Sequence, residues 1–150
     1  MPVSPIPEGF KGPVPYVVVS NGAAAIDFYT KAFGATERTR MPGPGGAIMH
    51  ADLEIAGGRL MLSEEMQGSK SPASLGGTPV SLFIYVRDVD AAFAKAIAAG
   101  ATAKAPLADM FWGDRWGILT DPFGHEWQLA THVEDVAPDE MQRRMAAMSR

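Results

Sequence analysis

The sequence predicts an α+β fold made of two tandem βαβββ modules, and three observations support this. A β-branched strand, an amphipathic helix and further strands follow one another twice along the chain. The segment GAT at 34–36 recurs as GAT at 100–102, after each predicted helix. The strand-end residues Val19 and Val86 are 67 positions apart. Because matching elements recur in the same order at nearly the same offset, the pattern indicates an internal duplication.

The first module is predicted over about residues 14–66. Pro15 to Ser20 (PYVVVS) form a β-branched strand, and Asn21 caps an apolar-periodic helix that ends at Gly34. The later strands are expected at 36–40, 47–55 and 59–63. The pair Gly57-Gly58 is a hairpin signal that joins the last two strands.

The second module is predicted over about residues 79–132, in the same order. Its first strand is Val80–Val86, and its helix is Val89–Ala99, ending at Gly100. The later strands are expected at 101–105, 115–120 and 125–130. Beyond Pro138, methionines at helical spacing predict a short amphipathic tail helix over about 138–149.

Length and composition indicate one domain spanning residues 1–150. A chain of this length, 47% hydrophobic, can bury roughly 68–70% of its unfolded surface in one core. No apolar run is long enough to span a membrane, and three prolines interrupt MPVSPIPEGF, where a signal peptide needs a continuous apolar segment. We therefore expect a cytoplasmic protein with no membrane partner.

Charge and cysteine content narrow the chemistry further. Zero cysteines exclude disulfides and thiolate sites, so any metal would need His, Asp, Glu or neutral oxygens. The net charge is −4, and the Lys and Arg residues are scattered among acids. Since no basic stripe can neutralise phosphates, a nucleic-acid partner is not expected.

Several motifs carry a family resemblance. The phrase FYTKAFGA closes the first helix, and DPFGHEWQL forms the last hairpin. The longer phrases VPYVVVSNGAAAIDFYTKAFGA, IMHADLEIAGGRLMLSEE and FWGDRWGILTDPFGHEW cover about residues 14 to 132. Together they resemble the vicinal oxygen chelate superfamily, which includes glyoxalase I, extradiol dioxygenases and bleomycin-resistance proteins, and within it the PhnB-like branch. The resemblance implies curled mixed sheets around a ligand cup.

In the superfamily's metal enzymes, the first and last strands of each module supply one His or Glu each. The resemblance places these positions at Val14, Met61, Ser81 and Gln128, where each module-one position lies 67 residues before its module-two counterpart. None is an imidazole or a carboxylate, and only Ser81 and Gln128 offer oxygen ligands. We therefore expect no metal at these positions and no cofactor.

The stretch DPFGHEWQLATH raises a separate metal question. His125 and Glu126 are adjacent, so in a strand they point to opposite faces and cannot converge on one ion. The helical HExxH motif would need a histidine at Leu129. We expect His125 to lie beside the turn, where its ring supports the hairpin.

Strand alternation selects the side chains that face the cup. On this rule Ser63 and Glu65 share the face of Met61, and Glu126 shares that of Gln128. A two-residue turn at Gly57-Gly58 would set Glu54 opposite Met61, Asp52 opposite Ser63 and His50 opposite Glu65. A four-residue turn over 121–124 would set Arg115 opposite Ala130, with Trp112 in the preceding loop. The predicted ligand-binding residues are Met61, Ser63, Ser81, Phe83, Tyr85, Trp112, Arg115, Glu126 and Gln128.

Some assignments have two interpretations. His50 and Glu65 are the candidate catalytic pair, because a carboxylate can orient an imidazole and raise its basicity; a structural cross-strand pair is the alternative. The whole polar face is either a ligand cup or a solvated sheet face. Arg115 is either a cup residue or a salt-bridge partner of Glu126 or Asp114.

Two functions follow from the resemblance and the cup. The first is metal-independent binding that sequesters a drug or metabolite in cups shared within a homodimer, as in antibiotic resistance by the bleomycin-resistance proteins. The second is a glyoxalase-like lyase or isomerase, in which a divalent metal is held by non-standard ligands such as His50 with Glu65, Glu54 or Glu126. Whether one chain closes its own cup or two chains share it stays open.

Overall fold

The computed structural model describes residues 2–149, so Met1 and Arg150 of the expected domain lie outside it. The first module has the predicted order of elements. Its elements are β1 (Tyr16–Val19), α1 (Gly22–Phe33), β2 (Thr36–Pro42), β3 (Ile48–Ile55) and β4 (Gly58–Glu64). They form a four-stranded mixed sheet in the order β1-β4-β3-β2, in which β1 runs parallel to β4 and the other pairs are antiparallel.

The second module repeats this arrangement after a linker that contains the short helix α2 (Pro72–Leu75). Its elements are β5 (Ser81–Tyr85), α3 (Val89–Ala99), β6 (Thr102–Asp109), β7 (Asp114–Thr120) and β8 (Glu126–His132). The sheet order is β5-β8-β7-β6, again with one parallel pair, β5 and β8. The fold is therefore mixed α+β with two four-stranded sheets that are not closed into a barrel, as predicted.

The helices begin and end where their capping residues predict. The Asn21 side chain accepts a hydrogen bond from the backbone N–H of Ala24 at 3.0 Å, and Gly34 ends α1 with φ +67°. The Asp88 side chain caps α3 in the same way through the N–H of Ala91. Each helix then packs on one face of its own sheet.

One hydrophobic core draws on both modules, because α1 and α3 pack against each other as well as on their sheets. Leu53 from the first sheet and Leu119 from the second are both fully buried in it. The Trp127 ring lies 5.3 Å from that of Tyr29 and 4.5 Å from that of Phe33, centroid to centroid. Side chains that point away from this core form an open face on each sheet.

The stretch DPFGHEW joins the two modules. The buried carboxylate of Asp121 accepts hydrogen bonds from the Tyr29 hydroxyl at 2.6 Å and from the Trp127 indole at 3.0 Å. It also accepts from the backbone N–H groups of Phe123 and His125. The expectation that the His125 ring supports its own hairpin is wrong: Nε2 donates at 2.8 Å to the carbonyl oxygen of Val18 in the first module.

The tail forms the helix α4 (Pro138–Met148), close to its predicted bounds. Arg144 anchors this helix through an ion pair with Glu134 and a hydrogen bond to the carbonyl oxygen of Phe111. Across residues 2–149, none of the helices is both long and apolar enough to cross a bilayer.

Candidate functional site

The open face of the second sheet collects most of the predicted ligand-binding residues. Leu82, Ile84 and Trp127 point into the core, so alternation places their neighbours on the opposite face. The residues on that face are Ser81, Phe83, Tyr85, Glu126 and Gln128, and the parallel pairing sets Ser81 beside Glu126 and Phe83 beside Gln128. The Phe83 and Tyr85 rings lie 5.0 Å apart and are 45% and 58% exposed. The two rings therefore form an exposed aromatic surface on the open face of the second sheet.

A chain of hydrogen bonds fixes the middle of this face. The Trp116 indole donates to the Gln128 side-chain oxygen at 2.9 Å, and the Gln128 amide donates to the Ser81 hydroxyl oxygen at 2.7 Å. Because the Ser81 oxygen accepts this bond, its own hydrogen can be donated elsewhere. These hydrogen bonds therefore hold the three side chains in one arrangement.

A buried carboxylate fixes the end of the same face. Asp114 is 3% exposed and accepts hydrogen bonds from Tyr85 at 2.8 Å, Trp112 at 3.1 Å and His132 at 2.8 Å. Burial by itself would raise the pKa of Asp114, but the three donors outweigh it and the net pKa is lowered. The pKa of Tyr85 is raised because its hydroxyl donates to this carboxylate. The predicted residue Trp112 thus joins the aromatic face through Asp114.

Arg115 does not lie on this face, and the predicted register is wrong by one residue. Arg115 pairs with Thr131 rather than Ala130, because the loop between β7 and β8 has five residues and not four. A shift of one residue turns the side chain to the other face. There Arg115 binds Asp90 of α3 at 2.8 Å and Asp109 at 3.2 Å, so it is a salt-bridge residue with partners other than those expected.

Trp116 takes the place on the open face that was assigned to Arg115. Together with Asp114 and His132, it is a residue of this surface that sequence reasoning missed. The Trp112 and Trp116 rings lie 5.7 Å apart in an edge-to-face arrangement. The strand pattern does not indicate this register, because it depends on the five-residue loop that Asp121 holds through the N–H groups of Phe123 and His125.

The open face of the first sheet is more polar, and its predicted register is wrong by two residues. The turn is Ala56-Gly57 rather than Gly57-Gly58, so Asp52, not Glu54, pairs with Met61. A register shift of two residues leaves every side chain on the same face of the sheet. Met61 and Ser63 therefore still lie on the same face as His50 and Asp52. The Tyr16 hydroxyl and His50 Nδ1 are hydrogen-bonded at 3.1 Å.

The predicted pairing of His50 with Glu65 is wrong. Glu65 lies beyond the end of β4, where its carboxylate accepts hydrogen bonds from the backbone N–H and the hydroxyl of Ser71, both at 2.8 Å. Hydrogen bonds from Ser74 and Ser71 lower the pKa of Glu65 to about 2, so it is a weak base. Glu126 stays on the second sheet's open face but forms an ion pair with Lys104.

The four positions equivalent to metal ligands do not fit a metal ion. Ser81 and Gln128 are hydrogen-bonded to each other, and Val14 and Met61 offer no oxygen or nitrogen ligand. In the part of the chain that the structure describes, no three His, Asp or Glu side chains cluster as metal ligands would.

A cleft of about 450 Å³ lies between the modules. It exists because β1 pairs only with residues 61–64 of β4, which leaves the start of β4 facing the outer edge of β5 across a gap. The second module contributes Ser81, Phe83 and Tyr85 to its walls, and the first contributes Arg59 and Ile55. The predicted residues Met61, Ser63, Trp112, Glu126 and Gln128 lie outside these walls. Arg59, which sequence reasoning missed, is the charged residue among those that line the cleft.

Comparisons with known proteins agree with this architecture. The family model described as the Glyoxalase/Bleomycin resistance protein/Dioxygenase superfamily matches residues 14–129. The chain is 50% identical over 138 residues to "Uncharacterized protein Rv0887c" of Mycobacterium tuberculosis, covering 89% of this chain and 81% of that protein. The crystal structure of TioX from Micromonospora sp. ML1 has 32% identity and a TM-score of 0.64, covering 80% of this chain and 97% of TioX. PA1353 from Pseudomonas aeruginosa has 25% identity and a TM-score of 0.68, covering 83% and 100%.

Proposed function

The chain belongs to the glyoxalase/bleomycin resistance protein/dioxygenase superfamily, and on that premise we propose that it binds a small organic molecule without a metal and sequesters it. The observation that carries the proposal is the inter-module cleft, walled by Phe83 and Tyr85 and close in volume to a pocket for a drug-sized ligand. The bound molecule is a drug or metabolite with a planar aromatic part.

The aromatic surface supports this proposal energetically. Phe83 and Tyr85 are large side chains that stay about half exposed, whereas burying an aromatic ring normally stabilises a protein. A flat ligand that stacks on them recovers this free energy. Asp114 holds the Tyr85 ring in place, so little conformational entropy is lost on binding.

Catalysis has less support, because the carboxylates that a non-standard metal site would use are engaged elsewhere. Glu65 accepts hydrogen bonds from Ser71, Glu54 pairs with Arg38, and Glu126 pairs with Lys104. His50 is left with the Tyr16 hydroxyl as its hydrogen-bond partner. We therefore propose binding rather than a glyoxalase-like lyase or isomerase reaction.

Two open faces in one chain are also consistent with a homodimer in which a second copy completes each cup. Tyr16 and Met41 on the first sheet are about half exposed, as are the rings on the second. We propose this arrangement, and light scattering of the purified protein tests it, since a mass of one chain at all concentrations contradicts it. The cytoplasmic location and a role in antibiotic resistance stay predictions.

The binding proposal is tested by thermal unfolding with a panel of planar aromatic compounds. A ligand present at about one hundred times its Kd stabilises the protein by about 2.7 kcal/mol. Phe83→Ala is expected to remove most of this stabilisation, whereas Leu75→Ala, which truncates a more exposed apolar residue outside the cleft, keeps it. Flat responses to every compound up to millimolar concentration contradict the proposal.

A further inference from the structure

An N-terminal arm, residues 6–12, contacts Arg59, which also lines the cleft. The arm makes a turn in which the N–H of Phe10 donates to the carbonyl oxygen of Pro7 at 3.3 Å. Gly9 has φ +88°, the left-handed conformation that a type II turn needs at its third residue. The arm precedes residues 14–129, which match the family, so family membership does not explain it.

Two arm residues cover the Arg59 guanidinium. The Phe10 ring centroid lies 4.9 Å from Cζ of Arg59, which is within cation–π distance. A Cβ atom built on Gly9 would lie 2.9 Å from Nη2 and 3.2 Å from Nε. The backbone of Gly9 therefore lies against the edge of the guanidinium formed by Nε and Nη2, and a side chain there would displace Arg59.

That edge is the part of Arg59 left without a protein acceptor. Nη1 donates to Asp52 at 3.0 Å, whereas Nε and Nη2 have no hydrogen-bond partner among residues 2–149 and are not fully buried, so they keep some contact with solvent. The Arg59 side chain is only 16% exposed. A guanidinium that is mostly buried but has an unpaired edge is suited to a planar oxyanion, which binds both donors at once.

We propose that Arg59 determines the ligand specificity of the cleft by binding the carboxylate of a planar aromatic acid through Nε and Nη2. The aromatic ring of the ligand lies against Phe83 and Tyr85, which line the same cleft from the second module. The arm moves aside to uncover the edge, since it contacts Arg59 through the Phe10 ring and the Gly9 backbone and makes no hydrogen bond to its guanidinium among residues 2–149. This inference rests on the proposed binding function and names the class of ligand.

The first test compares three probes that share one ring system: 2-naphthoate, the neutral 2-naphthamide and the cationic 2-naphthylmethylammonium. Calorimetric titration of the wild-type protein is expected to give a Kd for 2-naphthoate about tenfold or more below those of the other two. Arg59→Gln is expected to abolish this preference. Arg59→Lys keeps the charge but loses the two-pronged geometry, so it should restore only part of the preference.

The second test addresses the arm and does not alter Arg59, so it stands even if Arg59→Gln fails to fold. Phe10→Ala is expected to tighten 2-naphthoate binding several-fold and leave the Kd of 2-naphthamide unchanged. Val3→Ala, an exposed position outside the arm, is the matched control and should change neither value.

The outcomes separate the two proposals. Equal binding of all three probes, or a carboxylate preference that survives in Arg59→Gln, overturns the role of Arg59 and leaves the small-molecule site standing. Tightening of both probes by Phe10→Ala overturns the covering of Arg59 by the arm. Binding of no probe by any variant overturns both the inference and the proposed function.

Discussion

Asp114 and Asp121 are buried carboxylates with different tasks. Asp114 fixes Tyr85, Trp112 and His132 on the open face of the second sheet, whereas Asp121 fixes Tyr29 and Trp127 inside the core. Several donors converge on each carboxylate, so the free-energy cost of burying the charge is offset. The rings of Tyr85 and Trp112 are held in one orientation by their hydrogen bonds to Asp114.

The hydrogen bond between Tyr85 and Asp114 yields a prediction at this scale. In Asp114→Asn the negative charge is lost, so the pKa of Tyr85 should fall toward its ordinary value of 10.0. Ultraviolet absorbance during an alkaline titration measures this, because tyrosinate absorbs at longer wavelength than tyrosine. Asp109→Asn, which removes an exposed carboxylate from the same sheet, is the control. An unchanged Tyr85 titration would contradict the assigned cause.

At the scale of elements, the sequence predicts most of the secondary structure. Both long helices end at the predicted glycines, because a capping side chain and a left-handed glycine are local signals. The strands fall within a few residues of their predicted bounds. The loop lengths could not be predicted in this way. Asp121 accepts hydrogen bonds from backbone N–H groups as far as His125, which lengthens the loop between β7 and β8. No strand pattern indicates that contact.

The residues of the candidate site could be predicted only where their position does not depend on the register between strands. Ser81, Phe83, Tyr85 and Gln128 were placed on one face because alternation along a strand is a local property. Arg115 was misplaced because its face depends on a loop length. Arg59 was missed because its contacts with Gly9 and Phe10 join residues that are distant in sequence.

The turn between β3 and β4 gives a prediction at the scale of an element. Ala56 adopts φ +51° and Gly57 φ +80°, the conformation of a type I′ turn, in which asparagine is preferred over alanine. Ala56→Asn should therefore raise the free energy of unfolding by about 0.5–1 kcal/mol. Ala56→Val should lower it, since a β-branched residue tolerates positive φ poorly. Urea denaturation measures both, and a stabilising valine would contradict the turn assignment.

At the scale of the whole molecule, we expect the two modules to unfold together. They share one core, and Asp121 ties α1 of the first module to the loop of the second. We expect urea unfolding followed by Trp fluorescence and by far-ultraviolet circular dichroism to give one coincident transition.

Asp121→Ala should shift the whole urea unfolding transition to lower urea concentration, rather than the part that one module contributes. The substitution leaves four buried or partly buried donors without an acceptor, so we expect a loss of about 3–5 kcal/mol. Asp121→Asn keeps one side-chain oxygen and should cost less. Separate transitions for the two probes, or a loss below about 1 kcal/mol, would contradict a shared core held at Asp121.

The link between Tyr29 and Asp121 also bears on how the two halves have diverged since the duplication. By the strand registers, the counterpart of Tyr29 in the second module is Ala96, and the counterpart of Asp121 in the first is Ile55. Neither counterpart reproduces the contact, since Ala96 has no hydroxyl and Ile55 has no carboxylate. The two halves are therefore not interchangeable. A symmetric chain built from two copies of either half would lack either Tyr29 or Asp121, and so could not form this hydrogen bond.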